Sequence, residues 1–258
     1  QDLVQGLGGS LILLTIESNL EKNPALLDQA AEKFAAIPGL KIEKKARRGL
    51  AREAVVAESL ESRPAITVVP PAGRRGLARM IKGSRVKAVV HNSPSTVMIA
   101  RKPVSDHIKS VLVTVSGGPM SEPTAMAALE VAKALRAQIT LLHVTSSVTL
   151  PHGNPGEDPR RANVLRLREL LTRAGMEPRM RNREGMVVNE ILEECHDGGY
   201  DLLILGQHIV DRESGGPFSE NIAEDLALEC PIPVLVVRPR RWAEGAATGQ
   251  PETPVPAK

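Results

Sequence analysis

Residues 93–101, Ser-Pro-Ser-Thr-Val-Met-Ile-Ala-Arg, lie over residues 230–238, Cys-Pro-Ile-Pro-Val-Leu-Val-Val-Arg, at an offset of 137. Gly83 lies over Gly216 at 133, and residues 11–16 (LILLTI) lie over 139–144 (ITLLHV) at 128. Offsets that drift by so little are the mark of loop insertions within one repeated unit, so the chain is two copies of a single domain. Its 258 residues give each copy enough length to bury a core of its own.

The second copy reads without interruption. An apolar β run at residues 111–115 is followed by helical apolar spacing over 123–135, with Pro123 in the first turn. A strand at 139–144, a helix at 162–173 stopped by Gly175, a polar strand at 177–183 and a helix at 187–196 come next. The copy closes with a strand at 202–205, a helix at 218–228 and a strand at 234–237. Residues 149–160, rich in Pro, Gly and charge, read as a mobile loop. Strict alternation of this kind means right-handed βαβ units and a doubly wound, five-strand parallel sheet with helices on both faces, an α/β fold. Such sheets present their ligand sites beyond the carboxyl ends of the strands.

The first copy is incomplete. Residues 1–9 align with 129–137, the tail of the second copy's first helix, so nothing corresponds to the strand and most of the helix over 109–129. The first strand of a doubly wound domain is central, and its loss predicts a gap in the sheet that another segment must fill. The start at Gln1 leans toward a fragment of something longer. The expected division is residues 1–103, 104–239 and a disordered tail from 240 to 258, where Ala, Gly, Thr and Pro are in excess.

Composition removes several classes of function. No apolar run approaches 18 residues, which predicts no membrane insertion. Lys and Arg number 33 against 30 Asp and Glu, spread along the chain, and Phe, Trp and Tyr total four. Nucleic-acid binders concentrate their charge and add aromatic platforms, so no nucleic acid is expected as a partner. The basic cluster at residues 44–48 reads as a solvated edge strand, where lysine discourages pairing with other sheets. Only Cys195 and Cys230 are present, both in helical contexts, and no secretory signal precedes the first strand. That combination points to a reducing, cytoplasmic setting.

The segment with most chemistry in it is residues 65–101. The strand at 66–69 enters a basic loop containing Gly73, Arg74, Arg75 and Gly76, and Gly83-Ser84 opens an amphipathic segment leading to the strand at 97–99. Glycines that take positive φ freely let successive N–H groups converge on an anion. A helix N-terminus with a hydroxyl, and two guanidinium groups, add further phosphate donors. Pro70 removes one donor. The alternative reading of the same loop is a plain strand-to-helix connection.

With the repeat, the strand order and this loop together, the chain resembles a tandem universal stress protein over roughly residues 1–101 and 109–238. The family's loop pattern is Gly, two residues, Gly, nine residues, Gly, then Ser or Thr. The first copy reads Pro70, two residues, Gly73, nine residues, Gly83-Ser84, and departs only at the first glycine. In the second copy Gly206 and Gly216 remain, the loop is shorter, and Pro217 stands in place of the hydroxyl residue, with Ser219 two positions on. The resemblance implies that ATP or AMP is held by the glycine loop, by the end of the first strand and by a main-chain group of the second strand. Carried onto this sequence, that names Gly73, Gly83 and Ser84 in the first copy, beside Arg74 and Arg75 from the reading of the loop itself, and Ser116, Val144, Gly206, Gly216 and Ser219 in the second. Ser116 stands where ATP-binding members carry an acidic residue, and the first copy lacks that strand. The implied adenine-nucleotide site is therefore degenerate.

The resemblance further implies that the last strands, at 97–99 and 234–237, pair across a two-fold axis within one molecule to make a pseudo-dimer. These runs are apolar and need covering. No Ser, His and Asp set reads as a triad, and no metal is expected, since Cys195, His196 and His208 lack the paired spacing of a closed site. His143 in a β run reads as a packed residue. The leading expectation is thus a non-enzymatic, cytoplasmic stress-response protein with a protein partner. Two alternatives stand beside it. One is a cytoplasmic regulatory module cut from a larger membrane transporter. The other is an ATP-using enzyme built on Ser116-Gly117-Gly118, a loop similar to that of the pyrophosphatase-type enzymes, although Met120 stands where that loop carries Asp.

Overall fold

The protein's structure, a computed structural model, describes residues 2–17, 25–71, 86–101, 107–146, 159–207 and 222–238. The first half runs α1 (Asp2–Leu7), β1 (Ser10–Glu17), α2 (Ala25–Glu32), β2 (Lys41–Arg48), α3 (Ala51–Ser62) and β3 (Ile66–Val69). A helix, α4, over residues 86–92 and β4 (Thr96–Ile99) complete it. The second half runs β5 (Ser110–Thr114), α5 (Ser121–Leu135), β6 (Gln138–Ser146), α6 (Pro159–Arg173) and β7 (Arg179–Gly185), then α7 (Val187–Asp197), β8 (Leu202–Gly206), α8 (Ile222–Glu229) and β9 (Val234–Val237). The expected strands and helices are all there, with ends moved by a few residues. α6 begins at Pro159, which takes Arg160 out of the expected loop, and residues 218–221 of the helix expected at 218–228 lie outside the described residues.

The strands form a seven-stranded sheet in the order β3-β4-β9-β8-β5-β6-β7 and a separate two-stranded sheet, β1-β2. Within the second half the order β7-β6-β5-β8-β9 is that of a doubly wound domain with its first strand in the middle, and all its pairs are parallel. The first half keeps the parallel pairs β1-β2 and β3-β4, but among the described residues no strand lies between β1 and β3.

Period-two alternation divides the seven-stranded sheet into two apolar layers. Val97, Ile99, Leu112, Leu203, Leu205, Val234 and Val236 face α4, α7 and α8. Met98, Val111, Val113, Ile139, Leu141, Leu202, Ile204 and Leu235 face α5 and α6. Both layers run across the junction of the halves, so neither half owns its core.

That junction is isologous. β4 and β9 pair antiparallel, centred on Met98 opposite Leu235, which are counterparts in the repeat at the offset of 137. Arg101 Nη2 donates to the carbonyls of Ala227 (2.6 Å) and Leu228 (2.8 Å) at the end of α8. Its counterpart Arg238 donates to the carbonyls of Val90 (2.6 Å) and His91 at the end of α4. Residues 227 and 228 are themselves the counterparts of 90 and 91. Reciprocal contacts of this kind are what a two-fold axis requires, and each arginine satisfies carbonyls that a helix C-terminus leaves without partners. A third point on the axis is Gly6 in α1, where an added Cβ would lie 2.9 Å from the backbone oxygen of Ala134 in α5, its counterpart at the offset of 128. The intramolecular pairing through the last strands expected from the sequence is present.

Candidate functional site

The rim of the sheet at the carboxyl ends of β5, β6 and β8 is where a doubly wound domain places a ligand. In the second half it is built tightly. Val115 N donates to Leu142 O at 2.9 Å, and His143 Nδ1 lies 2.9 Å from Val115 O. A carbonyl only accepts, so Nδ1 carries the proton and His143 is a buried sheet residue, as expected.

Beyond Val115 the chain turns into α5 through Ser116-Gly117-Gly118. Ser116 Oγ accepts from Gly118 N at 3.3 Å, so the hydroxyl closes its own turn. Gly117 has φ +75°, and an added Cβ would lie 2.3 Å from the backbone oxygen of Arg160 at the start of α6. Asn163 Nδ2 donates to Gly117 O at 2.9 Å. The loop is thus a helix-entry turn with the first turn of α6 laid over it. It carries no carboxylate where the family resemblance looks for one.

Gly206 closes the other side of the rim. A Cβ there would lie 2.5 Å from Thr124 Oγ1 and 3.0 Å from Met120 Cβ, so glycine is needed for β8 to meet the N-terminus of α5. Gln207 follows, 4% exposed, with its N–H donated to Val237 O at 2.9 Å and its Oε1 without a partner. Val144 is half-buried beside β7, paired in register with Arg183. Ser116, Val144 and Gly206 therefore come together at one end of the sheet. Gly216 and Ser219 lie outside the described residues.

In the first half the counterparts of Gly206 and Gln207 are Pro70 and Pro71, both exposed. Gly73, Arg74, Arg75, Gly83 and Ser84 lie outside the described residues, as does His208. Among the described residues no group of three or more His, Cys, Asp or Glu is placed to hold a metal, and no helix is long and apolar enough to cross a membrane.

Sequence reasoning missed a feature shared by both halves. The cations of β2 are not simply solvated. Lys45 Nζ and Arg47 Nε reach Glu58 on α3 at 2.9 and 2.6 Å, and Arg47 also pairs with Glu61. In the second half Arg181 and Arg183 on β7 reach Glu194 on α7 at 3.8 and 2.8 Å. Both glutamates are buried. Burial pushes the Glu58 carboxyl up, but hydrogen bonds from Ser62, Lys45 and Arg47 outweigh it and bring the group down to about 2. The signal in the sequence was the spacing: positions 45, 47 and 58 recur at 181, 183 and 194, all at an offset of 136.

The universal stress protein family model matches residues 8–101 and 107–238. A universal stress protein from Archaeoglobus fulgidus superposes with a TM-score of 0.64 at 16% identity, covering 92% of this chain and 90% of that one. A functionally unknown protein from Pseudomonas aeruginosa PAO1 gives a TM-score of 0.66 at 13% identity over 89% of this chain and 82% of that one. A protein from Pseudomonas aeruginosa UCBPP-PA14 gives a TM-score of 0.65 at 11% identity over 91% of this chain and 95% of that one. These likenesses show a shared fold. No curated protein matches the sequence.

Proposed function

The chain belongs to the universal stress protein family, and on that premise we propose that it is a non-enzymatic, cytoplasmic stress-response protein with a degenerate adenine-nucleotide site. The site is centred on Gly73, Gly83 and Ser84 of the first half. The observation that carries this reading is the contrast between the two rims. In the second half Gly117 of the Ser116 turn packs against the start of α6, exposed Ser116 offers no carboxylate, and the loop after β8 has lost its second glycine and its hydroxyl residue. The first half keeps Gly73, nine residues, Gly83-Ser84, together with Arg74 and Arg75.

The chemistry available there is phosphate binding by main-chain N–H groups and guanidinium, not bond-breaking. ATP or AMP ordering this basic loop changes the surface offered to a protein partner. Single contacts of an anion with a helix N-terminus contribute about 1 kcal/mol, several times less than the cost of fixing a ligand, so binding is weak. Titration calorimetry with ATP tests it. We expect one weak site, protection of residues 70–84 in hydrogen exchange, loss of both in Gly83→Val, and no release of phosphate. Absence of heat and of protection removes the nucleotide; phosphate release abolished by Ser116→Ala would favour an enzyme instead.

A further inference from the structure

The seam between the halves is two-fold in its backbone but not in its charge. At the offset of 137, α4 lies over α8, so Lys87 is the counterpart of Glu224, Ala88 of Asp225 and His91 of Leu228. Lys87 Nζ lies 4.0 Å from Glu224 Oε2, a contact between counterpart positions and therefore on the axis itself. Lys87 also pairs with Asp225 Oδ1 at 2.9 Å, and His91 Nδ1 lies 3.3 Å from Glu224 Oε1. In each of these contacts α4 brings the nitrogen and α8 the carboxylate.

Turning the same axis on two like halves reverses the outcome. Two first halves would set Lys87 against Lys87, with His91 of each beside the other's Lys87 and Ala88 where Asp225 stands. Two second halves would set Glu224 against Glu224, with each Asp225 facing the other's Glu224 and Leu228 where His91 stands. The Glu224 side chain is only 14% exposed, so two such carboxylates on the axis would be like charges drawn partly out of water, which is costly. The strand ladder carries no such preference. Val97, Met98 and Ile99 meet Val236, Leu235 and Val234, apolar residues of similar size on both sides, and each half has its arginine, Arg101 or Arg238, for the opposite helix end.

We propose that Lys87, Glu224 and Asp225 select the partner at this seam: a first half accepts a second half, in its own chain or in another copy, and each half rejects its own kind. The partner that fits the α4–β4 face is an α8–β9 face with carboxylates at the positions of Glu224 and Asp225. Specificity of this sort draws on repulsion built against the wrong pairs as well as attraction in the right one. Because exposed ion pairs contribute little by themselves, repulsion is the larger part here. Copies of the chain can then meet through this seam by exchanging halves, and not first to first or second to second. This holds with or without a nucleotide at the glycine loop.

The test is charge reversal in the whole chain, with a specific protease site inserted between residues 103 and 104 so that the folded protein can be cut between its halves with both retained. Native mass spectrometry of the cut protein at low ionic strength identifies the pairs. The expected result is unlike pairs alone. Lys87→Glu weakens their association about tenfold or more, Glu224→Lys with Asp225→Lys does the same, and the three changes together restore it. In the uncut chain the same series lowers and then restores the urea midpoint, with a larger effect at low salt than at high. Like pairs at a statistical share in the cut parent, no weakening in Lys87→Glu, or no rescue by the triple reversal overturns the proposal. So does a cut parent whose halves do not stay together.

Discussion

Glu58 and Glu194 hold the same position in the two halves, and each works as the acceptor that draws an edge strand down onto a helix. A carboxylate buried beside cations is stable only while both signs are present. Because the Glu58 carboxyl titrates at about 2 in the folded chain and near 4.3 when unfolded, its contribution is complete above the unfolded value and disappears as the pH falls toward the folded one. Glu58→Gln accordingly lowers the unfolding midpoint at pH 7, and the deficit against the parent shrinks below about pH 4. Thermal unfolding of both proteins from pH 7 to pH 2 reads this; a deficit independent of pH refutes it. Arg101 and Arg238 act at the same scale, each donating to the last carbonyls of a helix in the opposite half. Replacing either by Met leaves those carbonyls unpaired, at a cost of about 1–2 kcal/mol measurable in urea unfolding. Equal losses in the two variants are expected from the two-fold relation.

At the scale of elements, Gly117 decides whether α6 can lie over the β5–α5 turn. Its φ of +75° and the nearness of the Arg160 backbone leave no room for a side chain. Gly117→Ala should cost about 2 kcal/mol or more, with hydrogen-exchange changes confined to residues 115–120 and 159–164. A neutral substitution contradicts that packing. The element order was legible because buried parallel strands such as β8 and β9 are short, uninterrupted apolar runs, and because a repeat gives each element twice. Other features were not legible. The alternation in residues 41–48 fits a solvated edge as well as one paired to a helix, since the partner Glu58 lies on the next element. The cover that α6 gives the Ser116 turn is a contact across 43 positions, from 117 to 160, with no local signature. Of the candidate site, Ser116, Val144 and Gly206 were named through the family resemblance, and strand order accounts for their lying at one end of the sheet.

For the whole molecule, the shared layers and the isologous seam make β3, α4 and β4 structural parts of the second half. The β1-β2 sheet stands outside this arrangement. Among the described residues it has two strands and its helix α2 contains no buried residue, and a two-stranded sheet is marginal without further support. Unfolding should therefore be graded rather than uniform. Amides of residues 97–99, 111–113 and 234–236 should exchange only through global opening, with a free energy equal to that from denaturant unfolding. Those of residues 10–17 and 41–48 should exchange through a smaller, local opening. Leu235→Ala, which removes a buried side chain from the axis itself, should cost about 2–5 kcal/mol and lower protection in residues 97–99 and 111–113 together. Loss of protection in one half alone would mean that the halves are held by contact at a surface and not by a common core.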